Sequence, residues 1–185
     1  MKKILGISIV LASFAFANMA KSDINSDIYN PLLEDNKVVI KMDLLTNSGN
    51  KQIGEIIAVE SDYGIVFYPN LSGLDSGIHG FHIHQNADCG ATDKGLGMKA
   101  GGHWDPQNTN NHSFPWNNSG HKGDLPAIYV DKDGNANYPI LAPKLNKLDE
   151  IKNKALMIHI GGDNHHDKPA ALGGGGARMA CGVIK

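Results

Sequence analysis

The chain has 185 residues, of which 41% are hydrophobic, a length that suits one domain with a substantial core better than two. Its 17 basic and 19 acidic residues give a formal net charge of −2. This mildly acidic balance argues against a protein that binds nucleic acid.

The first 17 residues have the pattern of a secretory signal peptide. Two lysines precede an apolar run over residues 4–16, and Ala-Phe-Ala at 15–17 is a small-x-small cleavage site. The apolar run is shorter than the roughly 20 residues that a membrane-spanning helix needs. Ala20 offers a second cleavage position, so we expect the mature chain to begin just after residue 17 or as late as after residue 20.

Export would change both the charge and the chemistry of the chain. Cleavage removes two lysines and no acidic residue, so the net charge of −2 becomes −4. Because exported proteins meet an oxidising environment, we expect Cys89 and Cys181 to form a disulfide. No stretch after the signal is apolar for long enough to span a bilayer, and residues 18–36 form a polar, turn-rich lead-in.

Short apolar runs follow the lead-in, and the first of them alternates apolar and polar residues with a period of two. This pattern predicts β-strands with one buried face. Turn residues separate the runs, and the only helical signal is a short turn near residues 148–154. Many short strands with regular turns indicate an antiparallel sandwich or barrel. The predicted runs are 38–44, 53–59, 64–68, 78–84, 127–130, 155–160 and 179–184.

Two segments, residues 85–126 and 161–177, interrupt this succession of strands. Loops of this length without hydrophobic periodicity are usually functional, or are held by something other than a core. We expect metal ions and the disulfide to hold them, because candidate metal ligands and Cys89 lie in or beside them.

A group of metal-binding side chains dominates the second half of the sequence. Alternate residues of a strand share a face, so His82 and His84 project together while Phe81 and Ile83 point to the core. Imidazole suits Zn or Cu, and a carboxylate added to three imidazoles favours Zn. The order of the residues predicts two metal sites that share a ligand. The candidates are His82, His84, His103, His112, His121, Asp124 and His159.

Several motifs carry a resemblance to a known family. They are Gly-Phe-His-Ile-His at 80–84, Ala-Gly-Gly-His at 100–103, His-x-x-Asp-Leu-Pro at 121–126, His-x-x-x-Asp at 159–163 and the segment 173–183. Together they resemble the copper/zinc superoxide dismutases in their bacterial exported form, over residue 38 to the C-terminus. The resemblance implies one all-β domain over residues 37–185, an eight-stranded antiparallel Greek-key β-barrel or sandwich with two long functional loops.

The resemblance also implies an enzyme that disproportionates superoxide to dioxygen and hydrogen peroxide by cycling between Cu(II) and Cu(I). His103 would be catalytic, bridging the metals, detaching from copper on reduction and carrying a proton, and Arg178 would bind the anion beside the copper. Asp163 would link a copper-bound and a zinc-bound histidine. The implied ligands are His82, His84, His103 and His159 for one copper ion, and His103, His112, His121 and Asp124 for one zinc ion.

The resemblance assigns supporting roles, or none, to several other residues. His79 would brace the copper strand by hydrogen bonds, while Lys99 and Lys168 are candidates for attracting superoxide. His165 and His166 match no ligand of the family. The resemblance implies superoxide anion as the partner molecule, the periplasm as the compartment, and either a monomer or a homodimer.

Three other classes of protein share single features of this sequence. A metallo-β-lactamase-type site needs His-x-His-x-Asp-His, but Asn86 and Ala87 stand where its aspartate and last histidine belong. A dinucleotide-binding motif over residues 95–100 lacks the strand-to-helix unit that such a motif requires. The third alternative is a non-enzymatic periplasmic copper/zinc-binding or buffering protein, against which Arg178 argues because it binds no metal.

Overall fold

The computed structural model describes residues 36–185, so the predicted signal peptide and nearly all of the lead-in lie outside the described residues. Within the described range, no helix is long and apolar enough to cross a membrane. Residues 36–185 form nine strands and one short α-helix: β1 Lys37–Leu44, β2 Lys51–Ser61, β3 Gly64–Leu71, β4 Gly77–His79, β5 Phe81–His84, β6 Ile128–Val130, β7 Ile140–Ala142, α1 Leu148–Ile151, β8 Lys154–His159 and β9 Arg178–Ile184.

Seven of these strands form one antiparallel sheet in the order β5-β8-β9-β1-β2-β3-β7, and β4 pairs with β6 in a separate ribbon. In β1 the buried residues Val38, Ile40 and Met42 alternate with exposed ones, as the period of two predicts. Gly54 faces Met42 with a φ of 132°, and the register shifts beside this pair. A Cβ at Gly54 would lie 2.1 Å from the carbonyl oxygen of Asn70, so only glycine fits between these strands.

The sheet curls around a core of aliphatic and aromatic side chains. Phe67 of β3 and Phe81 of β5 are fully buried and meet edge to face, with ring centroids 5.7 Å apart. These strands are separated by four others in the sheet order, so their contact requires strong curvature. Burial of each such aromatic side chain stabilises the fold by roughly 1.5–3 kcal/mol. The core lies directly behind the strand that carries the first two histidines.

The predicted fold class is confirmed, with differences in detail. Nine strands are present in the described residues rather than eight because Gly80 divides the run predicted over 78–84 into β4 and β5, which join different sheets. Strand β7 was not among the predicted runs, because its three residues lie directly between Pro139 and Pro143. The two long segments contain only short 3-10 turns, at Met98–Ala100 and Ala171–Gly174.

Candidate metal centre

Strand β5 places the first histidines and also fixes the long segment that follows it. All four of its residues are buried, with Phe81 and Ile83 in the core and His82 and His84 on the opposite face. Single β-bridges pair His84 with His103 and His82 with Asp124, and Ile83 exchanges backbone hydrogen bonds with residues 104 and 123. Because β8 pairs with one edge of β5, the loop lies along the other edge and brings its candidate ligands back to the strand.

The end of β8 supplies the next histidine. His159 is the last residue of β8 and lies opposite Arg178, the first residue of β9, just after a shift in register at Ile158. Residues paired across antiparallel strands have Cβ atoms about 4.5–5.5 Å apart. This pairing therefore places Arg178 beside His159, a candidate metal ligand.

Four histidines form the first group, with one nitrogen from each lying within 4.8 Å of the others. His84 Nδ1 donates to the carbonyl of Gly101 at 2.9 Å, and His159 Nδ1 donates to the carbonyl of Gly176 at 3.1 Å. A carbonyl only accepts, so both protons lie on Nδ1 and the two Nε2 atoms carry lone pairs. These Nε2 atoms face each other at 3.3 Å. Two facing lone pairs in a buried site suit a cation between them.

The other two rings of this group also direct a free nitrogen inward. His82 Nε2 lies 2.8 Å from Asp163, and His103 Nδ1 lies 2.9 Å from Asp124. The remaining nitrogens, His82 Nδ1 and His103 Nε2, are buried without a hydrogen-bond partner in the structure. Buried polar atoms rarely lack a partner, so this site fits a metal ion with imidazole ligands.

The second group shares His103 with the first. His103, His112 and His121 direct Nδ1 at one oxygen of Asp124, over 2.9, 2.9 and 3.1 Å. Tetrahedral coordination with bonds of about 2.0–2.1 Å separates ligand atoms by roughly 3.3 Å, close to these spacings. The other oxygen of Asp124 accepts the Ser113 N–H at 3.0 Å, which fixes the carboxylate. Three imidazoles and a carboxylate suit zinc.

Asp163 connects the two groups. Its Oδ2 lies 2.8 Å from His82 Nε2 and its Oδ1 lies 2.8 Å from His112 Nε2. Gly173 makes this approach sterically feasible, because a Cβ there would lie 1.9 Å from Asp163 Oδ1. Carboxylates that hold the second nitrogen of a metal-binding histidine fix its tautomer and its ring orientation.

Burial keeps the first group neutral. Burial lowers the pKa of His82 and His84 well below the usual range of histidine, and the neighbouring ring of His103 lowers it further. Burial also lowers the pKa of His103, and it lowers that of His159 to about 4. A neutral imidazole is the form that binds a metal ion.

In the second group, hydrogen bonds between carboxylates and histidines outweigh the effect of burial on the pKa of His112. Burial alone would lower the pKa of His112, but hydrogen bonds to Asp124 and Asp163 overcome it and raise the pKa to about 9. Burial would raise the pKa of both carboxyl groups, yet their hydrogen bonds with histidines hold it well below the usual range. The two carboxylates are therefore ionised and supply negative charge for a bound cation.

The predicted disulfide is present. Cys89 and Cys181 are bonded, with Cα atoms 5.8 Å apart and 92 positions apart in the chain. Cys181 lies in β9 and Cys89 in the loop after β5, so the bond ties the start of that loop to the strand that carries Arg178. Closing a loop of this length removes unfolded-state entropy worth roughly 4–5 kcal/mol in the simple chain model.

A cleft of about 530 Å³ opens outside the first group, and the buried residues His84, His103 and His159 form part of its lining. Arg178 lines this cleft, and its guanidinium donates to the carbonyls of Gly97 and Gly101. These two bonds hold the charge beside the histidines.

The cationic lysine that lines the cleft is Lys94, which the sequence did not indicate. The candidates Lys99 and Lys168 are exposed but are not among the lining residues. Only the folded path of the loop reveals which lysine reaches the opening, because all three lie in segments rich in turns.

The remaining histidines lie outside both groups. His79 is buried, with Nδ1 3.0 Å from the carbonyls of His159 and Ile160 and Nε2 2.9 Å from that of Asp75, so it braces this region as expected. His165 is half-buried against the rings of His112 and Phe114, while His166 is exposed. Neither joins a metal-binding group of the described residues.

Asp167 has a supporting role that the sequence did not reveal. Its carboxylate accepts the backbone N–H of His112 at 2.9 Å and that of Leu172 at 3.1 Å. It therefore joins the two long segments beside the second group. No local motif marks this link, because the backbone amide of His112 lies 55 positions from Asp167 in the chain.

Comparison with known proteins decides the family. The family model for copper/zinc superoxide dismutase (SODC) matches residues 52–184. A superoxide dismutase [Cu-Zn] of Pasteurella multocida is 56% identical over 151 residues, which cover 79% of this chain and 81% of that one. The chain belongs to the copper/zinc superoxide dismutase family. Its reaction is the disproportionation of superoxide to dioxygen and hydrogen peroxide, and its cofactors are copper and zinc.

Solved structures of the family agree with the fold. The Cu/Zn superoxide dismutase from Brucella abortus has a TM-score of 0.77 and 43% identity, covering 81% of this chain and all of that one. The monomeric copper, zinc superoxide dismutase from Salmonella enterica has a TM-score of 0.71 and 49% identity, covering 80% of this chain and 99% of that one. The Greek-key β-barrel predicted from the sequence is therefore the fold of this enzyme.

Proposed function

We propose that this superoxide dismutase binds copper through the four-histidine group and zinc through the group that contains Asp124. The inward-facing nitrogens of the first group suit copper, and the carboxylate of the second suits zinc. His103 belongs to both groups and would bind one metal through each nitrogen, as an imidazolate. This shared histidine is the observation on which the assignment depends.

Each part of the site has a defined task in the reaction. Copper supplies one-electron chemistry by alternating between Cu(II) and Cu(I), whereas zinc keeps a single oxidation state. Arg178 attracts superoxide into the cleft and orients it by hydrogen bonds, with a charge that persists throughout the working pH range. His103 accepts and releases a proton at Nε2, the nitrogen that faces the first group.

The carboxylates keep these rings in position during turnover. Asp163 holds His82 and His112 through their outer nitrogens, and Asp124 would fix Nδ1 of His103 by binding the same zinc ion. Because the surroundings of both His103 nitrogens are fixed, the ring can gain a proton at Nε2 and keep its orientation. Two superoxide ions and two protons then yield one dioxygen and one hydrogen peroxide.

We also propose that the enzyme works in the periplasm and protects the cell envelope from superoxide. The disulfide and the bacterial relatives support an exported protein. The signal-like pattern of residues 1–17 supports the same compartment.

The oligomeric state is either a monomer or a homodimer. The relative from Salmonella enterica is described as monomeric, and the same state in this chain would leave the stacked rings of Phe114 and Trp116 partly exposed. Sedimentation of the metal-loaded protein over a range of concentrations distinguishes the two states.

The assignment is tested by metal analysis and a dismutation assay on His84→Ala. We expect this variant to retain zinc, lose tight copper binding and lose nearly all activity, because His84 belongs to the first group only. His166→Ala is the matched control and should retain both metals and full activity. Full activity in His84→Ala would contradict the copper assignment, and metal binding without activity in the wild type would favour a metal-buffering protein.

A further inference from the structure

The cleft outside the histidines is much larger than a diatomic anion requires. Its volume of about 530 Å³ lies within the range of about 300–1,000 Å³ typical of pockets that bind small organic molecules. Most of its wall is apolar, which contributes nothing to attracting superoxide. The apolar lining consists of Leu44, Leu45, Leu96, Met98, Ile160, Leu172 and Met179.

The charged groups of the cleft favour a single negative charge. Arg178 and Lys94 line it together with one acidic residue, Asp75. Arg178 uses part of its five N–H groups on the carbonyls of Gly97 and Gly101, so further donors remain for a ligand. A guanidinium matches a carboxylate well, because its fork binds two oxygens at once.

A strained leucine contributes to the apolar wall. Leu172 has a φ of 54°, in the left-handed region, which costs a leucine about 1–2 kcal/mol. Its N–H donates to Asp167 and its carbonyl accepts from Gly175, so the surroundings hold this conformation. The side chain is 39% exposed, and the nearby cleft residue Ile160 is 55% exposed. The cleft therefore presents apolar surface to solvent next to a cationic end.

We propose that this cleft binds an amphipathic monoanion, a medium-chain alkyl carboxylate. The carboxylate lies against Arg178 and Lys94, and the alkyl chain covers Leu96, Leu172 and Ile160. A bound carboxylate closes the cleft and competes with superoxide. The site depends on the cleft alone and not on which metal occupies which group.

The affinity should increase with the length of the alkyl chain. Each methylene that becomes buried strengthens binding by up to about fourfold, until the chain outgrows the cleft. Calorimetric titration of the copper- and zinc-loaded protein with butanoate, hexanoate, octanoate and decanoate measures this slope. Octan-1-ol and octylammonium keep the chain without the anionic group, and we expect both to bind at least tenfold more weakly than octanoate.

Two leucines of nearly equal exposure allow a matched comparison. Leu172, 39% exposed, lines the cleft, whereas Leu141, 41% exposed, lies in β7 outside it. Leu172→Asn removes apolar surface and suits a positive φ, and it should flatten the chain-length slope. Leu141→Asn should leave the slope unchanged. Lys94→Gln should weaken the binding of every carboxylate by a similar factor, because Lys94 contacts the head group that all of them share.

Two results would overturn the proposal. Equal affinities for butanoate and octanoate would show that the apolar wall binds no alkyl chain. An unchanged slope in Leu172→Asn would place the chain elsewhere on the protein. Dismutation measured without carboxylate reports separately on the proposed metal assignment, so a failure of one hypothesis is distinguishable from a failure of the other.

Discussion

His103 shows how one side chain can belong to two different environments. Its Nδ1 faces an ionised carboxylate, whereas its Nε2 is buried among neutral imidazoles without a partner. A neutral imidazole has one proton and can satisfy only one of these nitrogens. Two bound cations remove the conflict, because both nitrogens then act as ligands. The individual residue therefore already implies a two-metal site.

At the same scale, Arg178 should govern how fast superoxide reaches the group that we propose binds copper. Arg178→Ile removes the positive charge and leaves strand β9 in place, so both metals should remain bound. We expect a rate lower by roughly 10- to 100-fold, equivalent to about 1.4–2.7 kcal/mol, with a weaker dependence on salt. The measurement is the dismutation rate against ionic strength.

Two further variants make the Arg178 test specific. Arg178→Lys should recover part of the rate, since the charge returns without the planar fork. Lys168→Ile removes an exposed cation outside the cleft and should have little effect. An unchanged rate and salt dependence in Arg178→Ile would mean that this arginine is structural only.

Alanine substitutions at two adjacent glycines allow the cost of a strained backbone to be measured separately from the effect of displacing the Asp163 carboxylate. Gly173 and Gly174 both have positive φ, so alanine should cost each about 1–2 kcal/mol of stability. A Cβ at Gly173 would collide with Asp163, whereas at Gly174 the nearest atom is 3.7 Å away. Gly173→Ala should therefore also weaken metal binding by roughly 10- to 100-fold.

Competition with a chelator measures the zinc and copper affinities of both glycine variants. Gly174→Ala should retain wild-type affinities and lose stability only. Equal affinities in the two variants would show that Asp163 does not support the metal ligands.

At the scale of the element, backbone contacts with β5 fix the loop over residues 85–126, which also carries the candidate metal ligands of the second group. His121→Ala leaves β5 intact and removes one of the proposed zinc ligands. A hundredfold loss of zinc affinity corresponds to about 2.7 kcal/mol, or roughly 5–10 °C in Tm. We expect copper to remain bound with partial activity, because His121 belongs to the second group only.

Hydrogen exchange locates the effect of His121→Ala. Amides of the loop should exchange faster, such as that of His112, while that of Ile56 in the middle of β2 should remain protected. His166→Ala controls for loss of a histidine near the same site. Uniform loss of protection across the sheet would contradict a local role for the zinc group.

Local pattern and the family resemblance predicted most of the strands and the candidate ligands that the fold brings together. They did not predict the contacts that depend on the path of the loops. Alternation placed His82 and His84 on one face, which the structure confirms. The bridge between His82 and Asp124 joins residues 42 positions apart in the chain, and spacing alone contains no information about it. Lys94 and Asp167 were missed for the same reason.

At the scale of the whole molecule, the net charge and the substrate have the same sign. The chain carries −2, and superoxide is an anion, so attraction must come from charges close to the cleft. Screening limits such a field to about 8 Å at physiological salt, which leaves Arg178 and Lys94 as the cations that line the path. Removal of the predicted signal peptide would make the mature chain still more acidic and would strengthen this requirement.

Export should leave a double signature in the intact mass of the mature protein. We expect periplasmic protein to lack the first 17 to 20 residues, because the basic start, the apolar run and the small-x-small site form a cleavable signal. It should also be lighter by two hydrogens than the reduced chain, owing to the bond between Cys89 and Cys181. Replacing Lys2 and Lys3 by glutamate provides the control, since a precursor held in the reducing cytoplasm should keep its leader and both thiols. Full-length periplasmic protein with two free thiols would contradict the assignment of the compartment and leave the loop after β5 without its covalent tie to β9.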